Sequence, residues 1–126
     1  MIVLDASVLI ALLEPTDAHH QRAITDLAGL NGELGVHPVT MAEILVAPFK
    51  VGLAPQVRAD LASISVREVT PGPDHPMVLA EIRTRDRLRM PDACVLALAV
   101  EQDSPLVTFD QRLAAAARSR ALLFGA

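Results

Sequence analysis

The sequence has little of several residue types on which folds and binding sites commonly depend. Lysine occurs once, at Lys50, tryptophan and tyrosine are absent, and phenylalanine occurs three times in 126 residues. The single cysteine, Cys94, excludes an internal disulfide, and its place in an apolar run indicates a buried thiol. Leucine, valine, isoleucine and alanine must therefore fill the core, and the cysteine content fits a reducing cytoplasm.

Long hydrophobic runs are also missing. No stretch approaches the roughly 20 apolar residues that a membrane-spanning helix needs. The N-terminal stretch lacks the basic start of a signal peptide, and Asp5 interrupts it. We therefore expect no membrane association and one domain over residues 1–126, without repeats or linkers.

The charge is acidic overall but unevenly distributed. The net charge of −4 argues mildly against generic nucleic-acid binding, which usually shows a basic face. Four arginines nevertheless lie within one seven-residue segment: Arg83, Arg85, Arg87 and Arg89. Three more lie near the C-terminus: Arg112, Arg118 and Arg120. A low mean charge can therefore conceal a basic patch beside an acidic pocket.

Short apolar runs of strand length alternate with longer segments of helical periodicity. The predicted strands cover residues 2–5, 33–38, 65–69, 105–109 and 121–124. The predicted helices cover residues 6–13, 16–30, 40–49, 55–63, 77–89, 90–103 and 110–119. This alternation predicts an α/β fold, in which helices cover both faces of a parallel sheet.

Acidic residues occupy four predicted strand ends or helix starts: Asp5, Glu43, Asp92 and Asp110. Each has an ordinary structural interpretation. Asp5 and Asp110 suit N-caps, Thr40 with Glu43 matches a capping box, and Asp92 suits a helix dipole. Ligands of open α/β sheets bind at the carboxyl ends of the strands, so the same acids could also gather in one pocket. Position alone leaves both interpretations open.

The chemistry of carboxylates adds a second argument. Mg²⁺ and Mn²⁺ prefer carboxylate and water oxygens. Carboxylates within about 4–6 Å of one another resist ionisation, and a divalent ion relieves that repulsion. Such an ion can promote displacement at a phosphodiester, and nearby arginines would hold the polyanion. An acidic pocket with an arginine rim would therefore suit a metal-dependent nuclease.

Four segments occur in an order that matches a known family: IVLDASVLIALLE, PVTMAEIL, MPDACVLALA and LVTFD. Together they span Ile2 to about Leu113 and resemble the PIN domain. More narrowly, they resemble the VapC-type ribonuclease toxins of bacterial toxin–antitoxin pairs. The resemblance implies a parallel sheet of four or five strands between helices, over residues 1–126.

The resemblance also implies an activity and a site. It implies RNA cleavage that depends on Mg²⁺ or Mn²⁺ and leaves 5′-phosphate and 3′-hydroxyl ends. It implies a homodimer that a cognate antitoxin holds inactive. The residues that match the family's metal-binding and catalytic acids are Asp5, Glu43, Asp92 and Asp110. Ser7 and Thr108 match hydroxyls that support those acids. The arginines of residues 83–89 lead directly into Asp92, and we expect them to contact RNA or antitoxin.

Two positions depart from the family pattern, and neither involves the four acids. The turn before the PDA motif often carries glycine and reads RDRLRM here, and Leu113 stands where an aromatic residue is common. The first departure could alter contacts with substrate or antitoxin. The four histidines are expected at the surface, with His37 and His75 isolated and without ligand spacing.

The residues also bear on four other functional classes. A non-catalytic PIN-like module that binds RNA or protein is the main alternative, although the presence of all four acids argues against it. A phospho-accepting receiver domain would need an acidic neighbour for Asp5 and a lysine on a late strand. A haloacid-dehalogenase-type phosphatase would need a second aspartate in the DAS motif. No glycine-rich phosphate loop is present, which excludes a P-loop nucleotide hydrolase.

Overall fold

The computed structural model describes residues 1–125, which form four strands and seven helices. The strands are β1 (Ile2–Leu4), β2 (Leu34–Val36), β3 (Val66–Glu68) and β4 (Leu106–Val107). The helices are α1 (Ala6–Leu13), α2 (His20–Ala28), α3 (Pro38–Lys50), α4 (Ala54–Ser63), α5 (His75–Asp86), α6 (Met90–Glu101) and α7 (Gln111–Ser119). The predicted alternation of strands with helices is confirmed.

The strands form one parallel sheet in the order β3-β2-β1-β4. The chain moves outward from β1 to β3 and then returns to place β4 on the other side of β1. The carboxyl ends of β1 and β4 are therefore neighbours at the point where the strand order reverses, and open parallel sheets bind ligands there. The predicted fifth strand, 121–124, is reduced to one bridge between Leu106 and Leu123.

Helices cover both faces of the sheet, as expected. Val3 joins one hydrophobic cluster with side chains of α5, α6, α7 and β4. Its neighbour Leu4 joins the other cluster with side chains of α1, α3, α4, β2 and β3. Successive side chains of a strand point to opposite faces, so two adjacent residues anchor two cores. In α6, residues 93–99 are all buried, which makes it a central helix.

Aliphatic side chains fill both cores, as the shortage of aromatics predicts. Phe49 and Phe124 are 76% and 46% exposed, and Phe109 is half-buried. Cys94 is buried as a free thiol. Over residues 1–125, the helices are too short or too polar for any of them to cross a membrane.

Several element boundaries differ from the predicted ones. Helix α3 begins at Pro38, and His37 caps it by accepting a hydrogen bond at Nδ1 from the Val39 amide at 3.0 Å. The predicted capping box is therefore wrong, because Thr40 and Glu43 lie inside the helix. Proline suits a first helical position because its missing N–H has no helical partner there. Helix α5 ends at Asp86 rather than at residue 89, with Arg87 left-handed at φ +55°.

Gly35 offers a test of the packing at the centre of the sheet. A Cβ at Gly35 would lie 2.8 Å from both Met1 Sδ and Val69 Cγ2. We expect Gly35→Ala to lower the free energy of unfolding by about 1–3 kcal/mol, because β2 is enclosed on that side. Gly29→Ala is the control, since its Cβ would meet only backbone oxygens at 3.7 and 3.9 Å. Urea unfolding measures both variants, and equal stabilities would contradict the prediction.

Candidate active site

Asp5 is a buried carboxylate at the junction of β1 and α1, with 5% exposure. Its Oδ2 accepts hydrogen bonds from the Ser7 hydroxyl at 2.7 Å and the Thr108 hydroxyl at 2.8 Å. The Ser7 amide is a weaker donor to the same oxygen, at 3.4 Å, as expected for an N-cap. None of the basic side chains in residues 1–125 forms an ion pair with Asp5. Its negative charge is therefore solvated by neutral donors alone.

The two hydroxyls connect Asp5 to the turn after β4. While Ser7 donates to Asp5, its oxygen accepts the Phe109 amide at 3.1 Å. While Thr108 donates to Asp5, its oxygen accepts the Asp110 amide at 3.0 Å. Both predicted supporting hydroxyls thus lie beside Asp5, and they link it to the backbone that carries Asp110.

Asp110 and Asp92 lie at the starts of two helices beside Asp5. Asp110 is the N-cap of α7, and its Oδ1 accepts the Leu113 amide at 2.9 Å. Asp92 lies in the first turn of α6, with a side chain 17% exposed. A cleft of about 150 Å³ is lined by Leu88, Arg89, Asp92, Asp110 and Arg112.

Electrostatic coupling joins the predicted acids, which we call the acidic pocket: Asp5, Glu43, Asp92 and Asp110. Burial raises the pKa of Asp92, and the charges of Asp5 and Asp110 raise it further, against Arg89 and Arg112. Partial burial raises the pKa of Glu43, on the outer side of α3, and Asp5 and Asp92 add to the rise, against Arg89. Like charges within one neighbourhood therefore oppose the ionisation of Glu43 and Asp92.

The acids of the acidic pocket are spaced more widely than the ligands of a complete metal site. In the part of the chain that the structure describes, no three of them come close enough to share one ion as they stand. Mutual repulsion favours such a spread, and the exposed Glu43 has rotamer freedom to move inward. The donors are all carboxylate oxygens, the type that Mg²⁺ and Mn²⁺ prefer, so the residues fit a hard divalent ion.

The predicted arginines are dispersed, and only Arg89 is placed at the acidic pocket. The Arg89 side chain is 79% exposed and lies 3.7 Å from Asp92. Arg85 instead pairs with Glu81 at 3.7 Å. Arg83 lies on α5, and Arg87 is its C-terminal cap.

Two arginines near the C-terminus have different surroundings. Arg112 lines the cleft formed with Asp92 and Asp110, a position that its place among the C-terminal arginines of the sequence did not predict. Its position two residues after Asp110 was the available signal. Arg120 pairs with Asp86 at 2.6 Å and Glu81 at 2.8 Å, so its charge is already engaged.

The expectation that His37 and His75 are isolated surface residues is wrong. His37 is 5% exposed, and its Nε2 lies 2.9 Å from His75 Nε2. Burial and the neighbouring His75 lower the pKa of His37 to about 4, so its ring is neutral at pH 7. The sequence carried no signal for this contact, because the end of β2 and the start of α5 bring together residues that are 38 positions apart.

Comparison with known proteins agrees with this architecture. Residues 2–119 match the sequence model of the PIN domain. The chain belongs to the PIN-domain family. None of the curated proteins compared with the chain matches it in sequence.

Two solved structures share the fold. A toxin–antitoxin complex from Klebsiella pneumoniae has a chain 21% identical to this one, with a TM-score of 0.75 and 87% of each chain covered. VapC20 of Mycobacterium tuberculosis, described as a sarcin–ricin loop cleaving toxin, is 22% identical with a TM-score of 0.76. That match covers 92% of this chain and 95% of VapC20. At these identities the likeness establishes the fold.

Asp92→Asn should raise the melting temperature at pH 7.5 in the presence of EDTA. The pKa of Asp92 is raised in the folded state, so folding opposes the ionisation of its carboxyl group. The folded protein therefore loses stability as the pH rises through that pKa. Asparagine removes the charge at nearly constant volume. The gain should shrink towards pH 4, where Asp92 increasingly carries a proton.

Asp60→Asn is the control, because it removes one exposed carboxylate on α4, outside the acidic pocket. Differential scanning calorimetry compares the three proteins. An Asp92→Asn protein that melts at or below the wild-type temperature would refute the electrostatic account.

Proposed function

We propose that this chain is a VapC-type endoribonuclease toxin whose acidic pocket binds Mg²⁺ or Mn²⁺ and cleaves RNA phosphodiesters. The observation that carries the proposal is the buried Asp5 carboxylate at the switch point of the sheet, held by neutral donors. Its charge acts on Glu43 and Asp92, and the charge of Asp110 acts in turn on Asp92. Membership of the PIN-domain family and the structural likeness to a sarcin–ricin loop cleaving toxin support it.

The four acids have two roles in this proposal. Asp5, Asp92 and Asp110 would hold the ion, which would supply positive charge for the phosphate and activate water for attack. Ser7 and Thr108 fix the Asp5 carboxylate, and the α7 cap fixes Asp110. Glu43 binds the ion or orients the attacking water, and its raised pKa suits it to accept a proton.

Arginines beside the acids would position the RNA backbone. Arg89 and Arg112 flank the cleft that Asp92 and Asp110 line, and both side chains are exposed. A guanidinium can hold a phosphate with two parallel hydrogen bonds. Arg83, Arg85 and Arg87 would extend this contact along α5, to RNA or to an antitoxin.

A cognate antitoxin is the proposed regulator. The Klebsiella pneumoniae relative is a toxin–antitoxin complex. The acidic pocket and the net charge of −4 suit a basic antitoxin segment that occupies the site. A complex in which no antitoxin arginine or lysine lies near the four acids would remove this part of the proposal. A homodimer and a cytoplasmic location remain predictions.

Cleavage of RNA tests the activity directly. The purified, antitoxin-free chain is incubated with total RNA in Mg²⁺, in Mn²⁺ and in EDTA. We expect metal-dependent cuts with 5′-phosphate ends, and a loss of about 100-fold or more in Asp92→Asn, because a charged ligand is removed. Asp60→Asn should cut like the wild type, and circular dichroism confirms that each variant is folded.

Two outcomes would count against the proposal. Cuts that persist in EDTA or in Asp92→Asn would exclude metal-dependent chemistry at the acidic pocket. A folded chain that neither cuts RNA nor binds Mg²⁺ would favour the non-catalytic PIN-like module.

Arg112→Gln should weaken RNA binding while leaving metal binding intact. Loss of one phosphate contact lowers the affinity for RNA by roughly 3- to 10-fold at low salt. It also reduces the slope of the logarithm of the binding constant against the logarithm of the salt concentration by about one unit. Arg67→Gln is the control, since Arg67 is exposed on β3 and pairs with Glu33. Fluorescence anisotropy with a labelled RNA, in Ca²⁺ in place of Mg²⁺, measures binding. Equal loss in both variants would indicate a non-specific charge effect.

A further inference from the structure

We propose that His37, His75 and Cys94 form a second metal site, separate from the acidic pocket, that binds Zn²⁺ or another thiophilic divalent ion. We call these residues the His–Cys cluster. His37 follows β2 and caps α3, His75 begins α5, and Cys94 lies in α6. Three elements distant in sequence therefore each contribute one metal-ligating side chain to the same interior point.

The spacing of the ligand atoms is close to what a tetrahedral ion requires. One ligand atom from each of the three side chains lies within 4.8 Å of the other two. The two Nε2 atoms are 2.9 Å apart. Bonds of about 2.0–2.1 Å to nitrogen and 2.3 Å to sulfur place two nitrogens about 3.3 Å apart and nitrogen and sulfur about 3.6 Å apart. Small side-chain rotations would therefore reach coordination distances.

A hydrogen bond to Glu101 orients the His75 ring for metal binding. The His75 Nδ1–H donates to Glu101 Oε2, and the other oxygen of Glu101 accepts the Gly72 amide at 3.2 Å. The side chains of His75 and Glu101 are only 12% and 13% exposed. Histidines that bind metals usually donate their second ring N–H to a carboxylate or carbonyl in this way. The hydrogen bond leaves the lone pair of His75 Nε2 directed towards the cluster.

The donor set selects a different ion from the acidic pocket. Imidazole and thiolate favour Zn²⁺, whereas carboxylates and water favour Mg²⁺ and Mn²⁺. Burial and the charge of Glu43 raise the pKa of the Cys94 thiol, so only the ion itself can displace the thiol proton to solvent. The ion and the thiolate together then carry one net positive charge. The carboxylate of Glu101, hydrogen-bonded to His75, offsets that charge in the interior.

His37 must exchange one hydrogen bond to bind the ion. Its Nδ1 accepts the Val39 amide at 3.0 Å, so the neutral ring carries its hydrogen on Nε2 and donates it to His75. Coordination through Nε2 moves that hydrogen to Nδ1, where it faces the Val39 N–H and breaks the hydrogen bond between them. His37 is 5% exposed, so its Nδ1–H and the Val39 amide both need new acceptors, and this cost weakens the site.

Cobalt spectroscopy tests the site without reference to RNA cleavage. Co²⁺ is titrated into the metal-free full chain at pH 7.5, with excess Mg²⁺ present to occupy the carboxylates. We expect a thiolate-to-cobalt charge-transfer band in the near ultraviolet and tetrahedral d–d bands in the visible, saturating at one ion per chain. Added Zn²⁺ should abolish both. Carboxylate ligands give no thiolate band, so the spectrum separates the two sites.

Three variants locate the signal. Cys94→Ser should lose the charge-transfer band, and His75→Gln should weaken Co²⁺ binding by at least 10-fold. Asp92→Asn should keep the full band, which makes this test independent of the proposed nuclease. Circular dichroism confirms folding. A folded wild-type chain without the band, or a band that survives in Cys94→Ser, would overturn the proposal and leave the cluster as a hydrogen-bonded link between α3, α5 and α6.

Discussion

The hydrogen bond from Thr108 to Asp5 joins the ends of two parallel strands where the strand order reverses, and Ser7, which also donates to Asp5, reinforces the link by accepting the Phe109 amide. Because both donors are neutral, they solvate the carboxylate without cancelling its charge. Burial raises the pKa of Asp92 and Glu43, and the charge of Asp5 adds to that rise. Thr108 also accepts the Asp110 amide, so the same hydroxyl fixes the next acid. Repulsion concentrated in this way destabilises the isolated chain, and a cation that enters the pocket would relieve it.

Asp5 and Asp110 are helix caps and candidate metal ligands at once, because both lie where a strand ends and a helix begins. A strand that ends at the carboxyl edge of the sheet is followed at once by a helix, and a short acidic side chain suits that junction. Asp110 uses Oδ1 for the Leu113 amide, and Asp5 gathers its hydrogen bonds on Oδ2. Each retains a second carboxylate oxygen. Capping and ligation are therefore compatible, and capping orients the side chain that the proposed function needs.

Local patterns in the sequence predicted the elements well, but not the contacts between distant segments. The alternation of strand-length apolar runs with helical segments predicted a sheet covered on both faces, and Val3 and Leu4 pack into the two opposite cores. The uniformly apolar segment 93–99 is the buried part of the central helix. Whether Asp5 lay near the other acids depended on strand order, which composition and periodicity do not encode. The His37–His75 contact was unpredictable for the same reason. The capping box failed because Pro38 started α3 early, and the arginines of residues 83–89 separated where Arg87 ends α5.

The central claim is that the acids at the carboxyl ends of β1 and β4 bind a hard divalent ion. The most direct measurement is a crystal structure of the chain soaked in Mn²⁺, with data collected to reveal anomalous scattering from manganese. The account predicts an anomalous peak coordinated by Asp5, Asp92 and Asp110, with Glu43 turned towards it. Crystals that bind manganese elsewhere, or show no peak among these acids at saturating Mn²⁺, would contradict it.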